Sequence, residues 1–459
     1  MKRYISNIGK IATSFLFAGV VASVTLTACT FEDEDFFDES ASLRIEHTNQ
    51  AIQNTLVNAP NGWVMQYYTG TGVAHFEGFN LFAKFEDSEK VLLAGDHRLL
   101  RDGRANKYTE YSSLYEMLLE DGPVLAFNTW NDVLSPFVDP VSPWAAPGNI
   151  VKDGAGMQGD NNFVVMSYND DEVILRGERY RAEVRLVKCD RTWDEYIADT
   201  KAMKDRITSS SINAYLVTNE VDSMYFVGLR KGVFRYCERV NDPLKIDSLA
   251  CCFTPNGFRT EHENTLGENT FQEFTLSEDG TCLVNEDGTV KVTALWDDYV
   301  YNYFQTPTQI NDLWNFDPTY FSIEQASIFE QINNEVKKFK SSYSLKSIGL
   351  GKAKGGSVSG LVLTFYTNTS NTNTVAACLA LTITKAGDLQ LQVVSDPEVD
   401  KMDKNLENIC KKATNMENLV RSFAATLNGV YSITPDDYFL PTGGTFTAIN
   451  GGTTFVLVK

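Results

Sequence analysis

Four histidines, His47, His75, His97 and His262, are the side chains here best suited to move a proton near neutral pH or to hold a metal. No two of them stand three or four residues apart, so no single helix or turn brings a pair onto one ion. Any histidine site must be assembled by the fold. The chain has 60 acidic residues, and a glycosidase-type carboxylate pair is defined by separation in space, so none can be picked out by position. Gly349-Leu350-Gly351-Lys352-Ala353-Lys354-Gly355-Gly356-Ser357 is glycine-rich but fits neither the dinucleotide nor the P-loop order. Gly355-Gly356-Ser357-Val358-Ser359 fails the nucleophile elbow, because Ser359 occupies the second glycine position. That stretch reads as a flexible loop before a strand. Asp279-Gly280 and Asp287-Gly288 read as hairpin turns, since the alternating acidic ligands of a calcium loop are missing. Trp130, Trp144 and Trp314 fall near predicted loops, where they would stack on sugar rings if exposed; packing in the core is the commoner use. No catalytic residue, cofactor-binding segment or metal ligand set is assigned.

Cys29 stands apart. Met1-Lys2-Arg3 and Lys10 precede an uncharged run of 18 residues, Ile11 to Ala28. A basic start and an apolar run form a secretory signal pattern, and the run is short of the roughly 20 apolar residues of a membrane span. Leu26-Thr27-Ala28-Cys29 resembles the lipobox of bacterial lipoprotein signal peptides. The resemblance implies cleavage before Cys29 and acylation of that residue, with two or more chains giving durable anchoring. Residues 1–28 are therefore expected to be a signal peptide and 29–40 an acidic tether. Glu32-Asp33-Glu34-Asp35, with Asp38-Glu39, resembles the export signal of Bacteroidetes surface lipoproteins, which implies the outer face of the outer membrane and not the periplasm. Asp222-Ser223-Met224 and Asp247-Ser248-Leu249 resemble the Bacteroidetes O-glycosylation tripeptide, which acts only on a surface.

The net charge is −20 and the signal peptide takes Lys2, Arg3 and Lys10 with it, so the remainder is more acidic still. Such a chain is repelled by nucleic acid, which we exclude as a partner. Besides Cys29 the cysteines are 189, 237, 251, 252, 282, 378 and 410; the odd number and the absence of C-x-x-C spacing point to small buried hydrophobes.

These residues need elements to position them. Ile45, Ile52 and Leu56 share a face of a helix predicted over 38–58, broken by Asn58-Ala59-Pro60-Asn61-Gly62. Strands follow at 63–68, 80–85 and 91–93. Tyr111, Leu114, Tyr115 and Leu118 predict a short helix over 109–120. Strands resume at 124–127, 163–166, 173–175 and 184–187, with a loop over 135–160. Thr192-Trp193-Asp194-Glu195 has capping-box spacing and opens a helix to about Ile207. The polar Thr208-Ser209-Ser210-Ser211 marks a domain boundary between 41–207 and 208–459. The second half repeats the pattern, with a capping box at Ser322-Ile323-Glu324-Gln325 and a closing hairpin at Asn450-Gly451. Strands come in blocks with helices inserted, so the expected class is α+β, mainly antiparallel, in two domains.

Phe37-Asp38-Glu39-Ser40-Ala41, Ala59-Pro60-Asn61-Gly62-Trp63 and Asp121-Gly122-Pro123-Val124-Leu125 are similar to recurring segments of Bacteroidetes lipoproteins that carry a domain of unknown function. The resemblance is good over about 37–205 and looser beyond, with Thr254-Pro255-Asn256-Gly257-Phe258 its main later trace. It implies an accessory of SusC/SusD-type outer-membrane uptake systems that binds a glycan, peptide or protein partner. An envelope hydrolase with a fold-assembled carboxylate or histidine site and a structural or adhesive envelope protein are the alternatives.

Overall fold

The side chain of Ser40 accepts a hydrogen bond from the Leu43 N–H (3.4 Å) and so caps the first helix, α1 (Ala41–Val57). The computed structural model describes residues 40–69, 76–120, 122–140, 156–209, 212, 214–230, 232–237, 247–295, 313–352, 359–387 and 390–458. The signal segment, Cys29 with its tether, His75 and Trp144 lie outside them.

Ile52 and Leu56 of α1 sink into the core of a nine-stranded sheet. Its strands are β1 (Trp63–Tyr68), β2 (Phe79–Phe85), β3 (Lys90–Gly95), β4 (Thr109–Leu114), β5 (Glu116–Leu119), β6 (Pro123–Ala126), β7 (Asn162–Tyr168), β8 (Glu172–Gly177) and β9 (Glu183–Lys188). A helical turn, α2 (Ser135–Val138), interrupts the connection between β6 and β7. The sheet order is β4-β3-β2-β1-β9-β8-β7-β6-β5. β4 and β5 lie at opposite edges although Tyr115 alone separates them. Consecutive Cα atoms are about 3.8 Å apart, so the two edges must meet at Tyr115 and the sheet curls almost shut. The ring of Tyr115 packs edge-on against Phe85 (4.8 Å), and its hydroxyl donates to the Asp87 carbonyl (2.7 Å).

The helix expected over 109–120 is therefore two strands. The spacing of Tyr111, Leu114, Tyr115 and Leu118 suits either element. Pairing decides between them, because β3 has a free edge that β4 fills residue by residue from Lys90↔Leu114 to Gly95↔Thr109.

α3 (Trp193–Ile207) follows with both halves of the expected capping box, Thr192 and Glu195, in place. Next comes a closed barrel: β10 (Ala214–Thr218), β11 (Ser223–Arg230), β12 (Val233–Cys237), β13 (Asp247–Thr254), β14 (Gly257–Leu266), β15 (Asn269–Leu276), β16 (Leu283–Asn285) and β17 (Lys291–Ala294), with β17 returning to β10. A stacked and tilted set of rings, Phe226, Phe234, Phe258, Phe271 and Phe274, fills it.

The third sheet holds β18 (Trp314–Phe316), β19 (Ser344–Lys352), β20 (Ser359–Tyr366), β21 (Thr374–Ala380), β22 (Thr382–Gly387), β23 (Gln390–Val394), β24 (Gly429–Pro435), β25 (Gly443–Gly451) and β26 (Phe455–Val458). Helices α4 (Ile323–Phe339), α5 (Lys404–Cys410) and α6 (Met416–Ala425) are inserted in it. Its order, β21-β20-β19-β18-β26-β25-β24-β23-β22, repeats that of the first sheet, with Leu381 in the place of Tyr115. In all three sheets the first strand pairs with the last. Every strand pairing among the described residues is antiparallel, and the molecule is richer in sheet than the expected α+β balance. Three sheets succeed one another along the chain, two of them within 208–459.

Part of the glycine-rich stretch expected as a loop is strand: β19 runs through Gly349 to Lys352, and a Cβ on Gly349 would lie 2.5 Å from the Trp314 carbonyl. Gly62 has φ +68°, which ends the Ala59–Trp63 turn. The indole N–H of Trp63 donates to Leu56 O (2.9 Å) and that of Trp193 to Asn61 O (2.7 Å). The Ala-Pro-Asn-Gly-Trp segment thus fastens α1, β1 and α3 together; its role is to hold the fold.

Candidate functional site

Six residues along α3, Tyr196, Ile197, Thr200, Lys201, Lys204 and Asp205, are spaced to share one helix face. They overlie a cleft of about 410 Å³ between the first sheet and the barrel, within the size range of small-molecule sites. The segment entering β2 supplies Glu77 to Asn80, the turn after β3 supplies Asp96 to Arg98, and β13 supplies Phe253. Local chemistry forces the walls together. The N–H of Gly78 donates to Cys251 O (3.0 Å), joining the first sheet to the barrel. A side chain at Gly78 would meet Tyr68 Cε1 at 2.6 Å and Cys252 Cβ at 2.7 Å, so only glycine allows this approach. Asn80 Nδ2 donates to Phe253 O (2.7 Å) and the Cys252 thiol to Asn80 Oδ1 (3.1 Å).

Glu77 lies between two cations, 3.3 Å from Arg98 Nε and 3.9 Å from Lys204 Nζ. Both cations also sit over rings, Lys204 5.4 Å from the Phe253 centroid and Arg98 5.9 Å from that of Phe79. Lys201, exposed at the mouth, has no ion-pair partner among the described residues. The Thr200 hydroxyl is buried with no hydrogen-bond partner. The cleft therefore offers three cations balanced by Glu77, Asp96 and Asp205, aromatic faces and a buried hydroxyl, a lining suited to a polar head joined to an apolar body.

His97 borders this cleft but is only 7% exposed. Its Nε2 lies 2.9 Å from Val133 O and its Nδ1 accepts from Leu99 N–H at 3.2 Å, so both ring nitrogens are used. Burial lowers its pKa to about 4, leaving a neutral imidazole that locks the turn after β3. His47 is exposed on α1. His262 is 58% exposed and reaches across to the first sheet, 3.3 Å from Glu183 and 3.8 Å from Glu261. The hydrogen bond to Glu183 raises its pKa. Burial pushes Glu261 up to about 7.

Of the tryptophans, Trp314 is core, and Trp130 is 48% exposed with its N–H on Asp132 (2.6 Å) and the Arg101 guanidinium over its ring at 5.1 Å. Ser223 is exposed at the start of β11, whereas Ser248 sits half-buried within β13. Asp279 and Asp287 spend their carboxylates on Thr281 and Thr289 within their own turns. Among the described residues no group of three His, Cys, Asp or Glu could hold a metal, and Cys189, Cys251, Cys252, Cys282 and Cys410 are free thiols. Burial raises the Cys252 thiol to about 12, so it is inert. Sequence reasoning missed Glu77, Arg98, Lys204 and Phe253. The only local signal was the polar face of α3, because the four come from segments far apart in the chain.

The architecture is that of an antiparallel meander protein with a cleft at the seam between two curled sheets. The chain belongs to the family described as Domain of unknown function (DUF4302), whose model matches residues 33–278 and so takes in both walls of the cleft. No curated protein matches it. Among solved structures the DNA polymerase III beta chain of Streptococcus pneumoniae TIGR4 aligns with 9% identity over 90% of this chain and 97% of that one, at a TM-score of 0.12. A putative DNA polymerase III beta subunit from Eubacterium rectale ATCC 33656 aligns with 10% identity over 90% and 96%, also at 0.12. At that score neither carries an argument. No helix among the described residues is long and apolar enough to cross a membrane.

Proposed function

We propose that this chain is a lipid-anchored binding protein of the bacterial envelope, displayed on the outer membrane, whose seam cleft captures a small ligand for an outer-membrane uptake system of the SusC/SusD type. The observation that carries the binding role is the 410 Å³ cleft, in which cations, aromatic rings and an unpartnered hydroxyl converge while the bordering histidine is locked neutral. The lipobox-like Leu26-Thr27-Ala28-Cys29 and the acidic run behind it support anchoring through acyl chains such as palmitate on Cys29, and surface display. The net charge of −20 speaks against nucleic acid as a partner.

The test uses the Cys29→Ser chain, which is expected to leave the membrane fraction and to lose palmitate labelling. Screened by thermal shift against glycans, peptides and small organic acids, it should be stabilised by one class, by about 2.7 kcal/mol at a hundredfold excess over Kd. Lys204→Ala should remove that shift. A screen in which no compound shifts Tm, or a ligand indifferent to Lys204→Ala, overturns the cleft reading. Turnover of the bound compound would transfer the site to the hydrolase alternative.

A further inference from the structure

Below the cleft, where the outer face of the first sheet runs under the barrel, lies a second recess of about 230 Å³. Tyr68, Met166 and Ile174 give it an apolar floor, and Arg176, Arg185 and Arg259 line it with Glu183 as the one acid. Strand register sets Arg176 directly opposite Glu183 and Arg259 directly opposite Glu273. Opposite charges facing each other across two strands ordinarily pair. Here neither does. Glu183 turns to His262 (3.3 Å) and Glu273 to Arg185 (2.8 Å), while Arg185 also holds Glu172. Arg176 and Arg259 are left with no ion-pair partner among the described residues, in a chain of net charge −20. Two glutamates drawn off by other partners thus leave two guanidinium groups around one small apolar-floored recess.

We propose that this recess is a second binding site, taking the carboxylate of a small amphipathic acid, with its hydrocarbon or aromatic part on Met166, Ile174 and Tyr68. The planar fork of arginine matches a carboxylate in two parallel hydrogen bonds. Glu183 in the lining disfavours a dianion such as phosphate. The volume admits only a short acid, below the usual range for drug-sized ligands. This site is separate from the cleft under α3 and stands or falls without it.

The experiment titrates the Cys29→Ser chain with hexanoate, benzoate, hexanol and inorganic phosphate, following chemical shifts or heat. Hexanoate and benzoate are expected to saturate, and hexanol and phosphate to bind much more weakly. Arg176→Gln and Arg259→Gln should each weaken hexanoate about tenfold or more, the usual worth of a charge-assisted contact. Lys337→Gln, exposed on α4 away from both recesses, should leave hexanoate unchanged. Arg176 is exposed and Arg259 half-buried, so both variants are expected to keep the wild-type Tm; a variant that lost it would be replaced by the corresponding lysine, for which a smaller loss is expected. Hexanoate that fails to saturate by about 10 mM, binds the double variant as well as wild type, or is matched by phosphate overturns the proposal.

Discussion

The first and third sheets have the same strand order and the same one-residue hop between opposite edges, yet they are fastened to the barrel in different ways. The third shares a continuous core with it: Phe439, buried between them, stacks on Tyr215 of β10 at 6.4 Å. Above the ring sits Arg206 of α3, which pairs with Asp437 at 2.7 Å. The first sheet meets the barrel through a small apolar patch, Tyr68, Ala250 and Cys252, set among polar links. Those links are Tyr68 to Arg259 O, Asn80 to Phe253 O, Arg185 to Glu273 and His262 to Glu183. The third seam is mainly apolar, with Arg206–Asp437 at its margin. A polar seam packs less completely, and both recesses open there.

Phe439→Ala should produce the largest effect. Removing a buried phenyl costs about 3–5 kcal/mol, read as a lower urea midpoint and as early hydrogen exchange of β24 and β25. Asn80→Ala, at the polar seam, should cost about 1–3 kcal/mol because it leaves the Phe253 carbonyl without its donor. Its early exchange should fall in β2 and β13. Equal losses from the two substitutions would erase the distinction between the seams.

The seams should also respond to pH with opposite sign. Glu261 is raised to about 7 by burial and His262 is raised by Glu183, so at the first seam the folded state binds more protons than the unfolded. Its contribution is complete below the unfolded values and is lost as pH climbs from about 4.5 through 7 and past the raised histidine value. At the third seam burial pushes Asp437 up, but the Leu440 and Phe439 N–H groups and Arg206 outweigh it and hold the pKa below the usual value. That contribution is present above the ordinary aspartate range and lost in acid. Protection factors against hydrogen exchange in β9 and β14 should therefore fall from pH 5 to 8, while those around 436–442 fall only toward pH 3. Glu261→Gln should flatten the first profile and spare the second. The smallest effect expected is that of salt. An exposed ion pair such as Lys204–Glu77 is worth about 0.2–1 kcal/mol, so raising ionic strength should loosen the first seam, with several such pairs, more than the third, with Arg206–Asp437, and Lys204→Ala should reduce that response.

Much of the local structure was legible in the residues. Thr192 with Glu195 and Ser322 with Gln325 form the expected capping boxes, and β25 and β26 form the expected closing hairpin, although Asn450 and Gly451 end β25 against β24 and the turn follows at 452–454. These signals are readable because donor and acceptor lie three or four residues apart. The segment 109–120 was not readable, since its spacing suits helix and strand alike and the free edge of β3 chose. The cleft was less legible still. His97, an obvious candidate by residue type, is consumed by backbone contacts, while Glu77 and Lys204, unremarkable in sequence, meet across the seam.

The sequence by itself thus determined the caps, the turns, the antiparallel strand blocks and the acidity that argues against nucleic acid; it also carries the lipobox-like signal at Cys29. Only the tertiary structure decided that two sheets would curl around a one-residue hop, and that Glu183 and Glu273 would desert the arginines opposite them. The reason is physical. A local hydrogen bond competes only with water, but a charged side chain on a strand chooses among every partner that packing brings within reach, and that set exists only once the sheets have met.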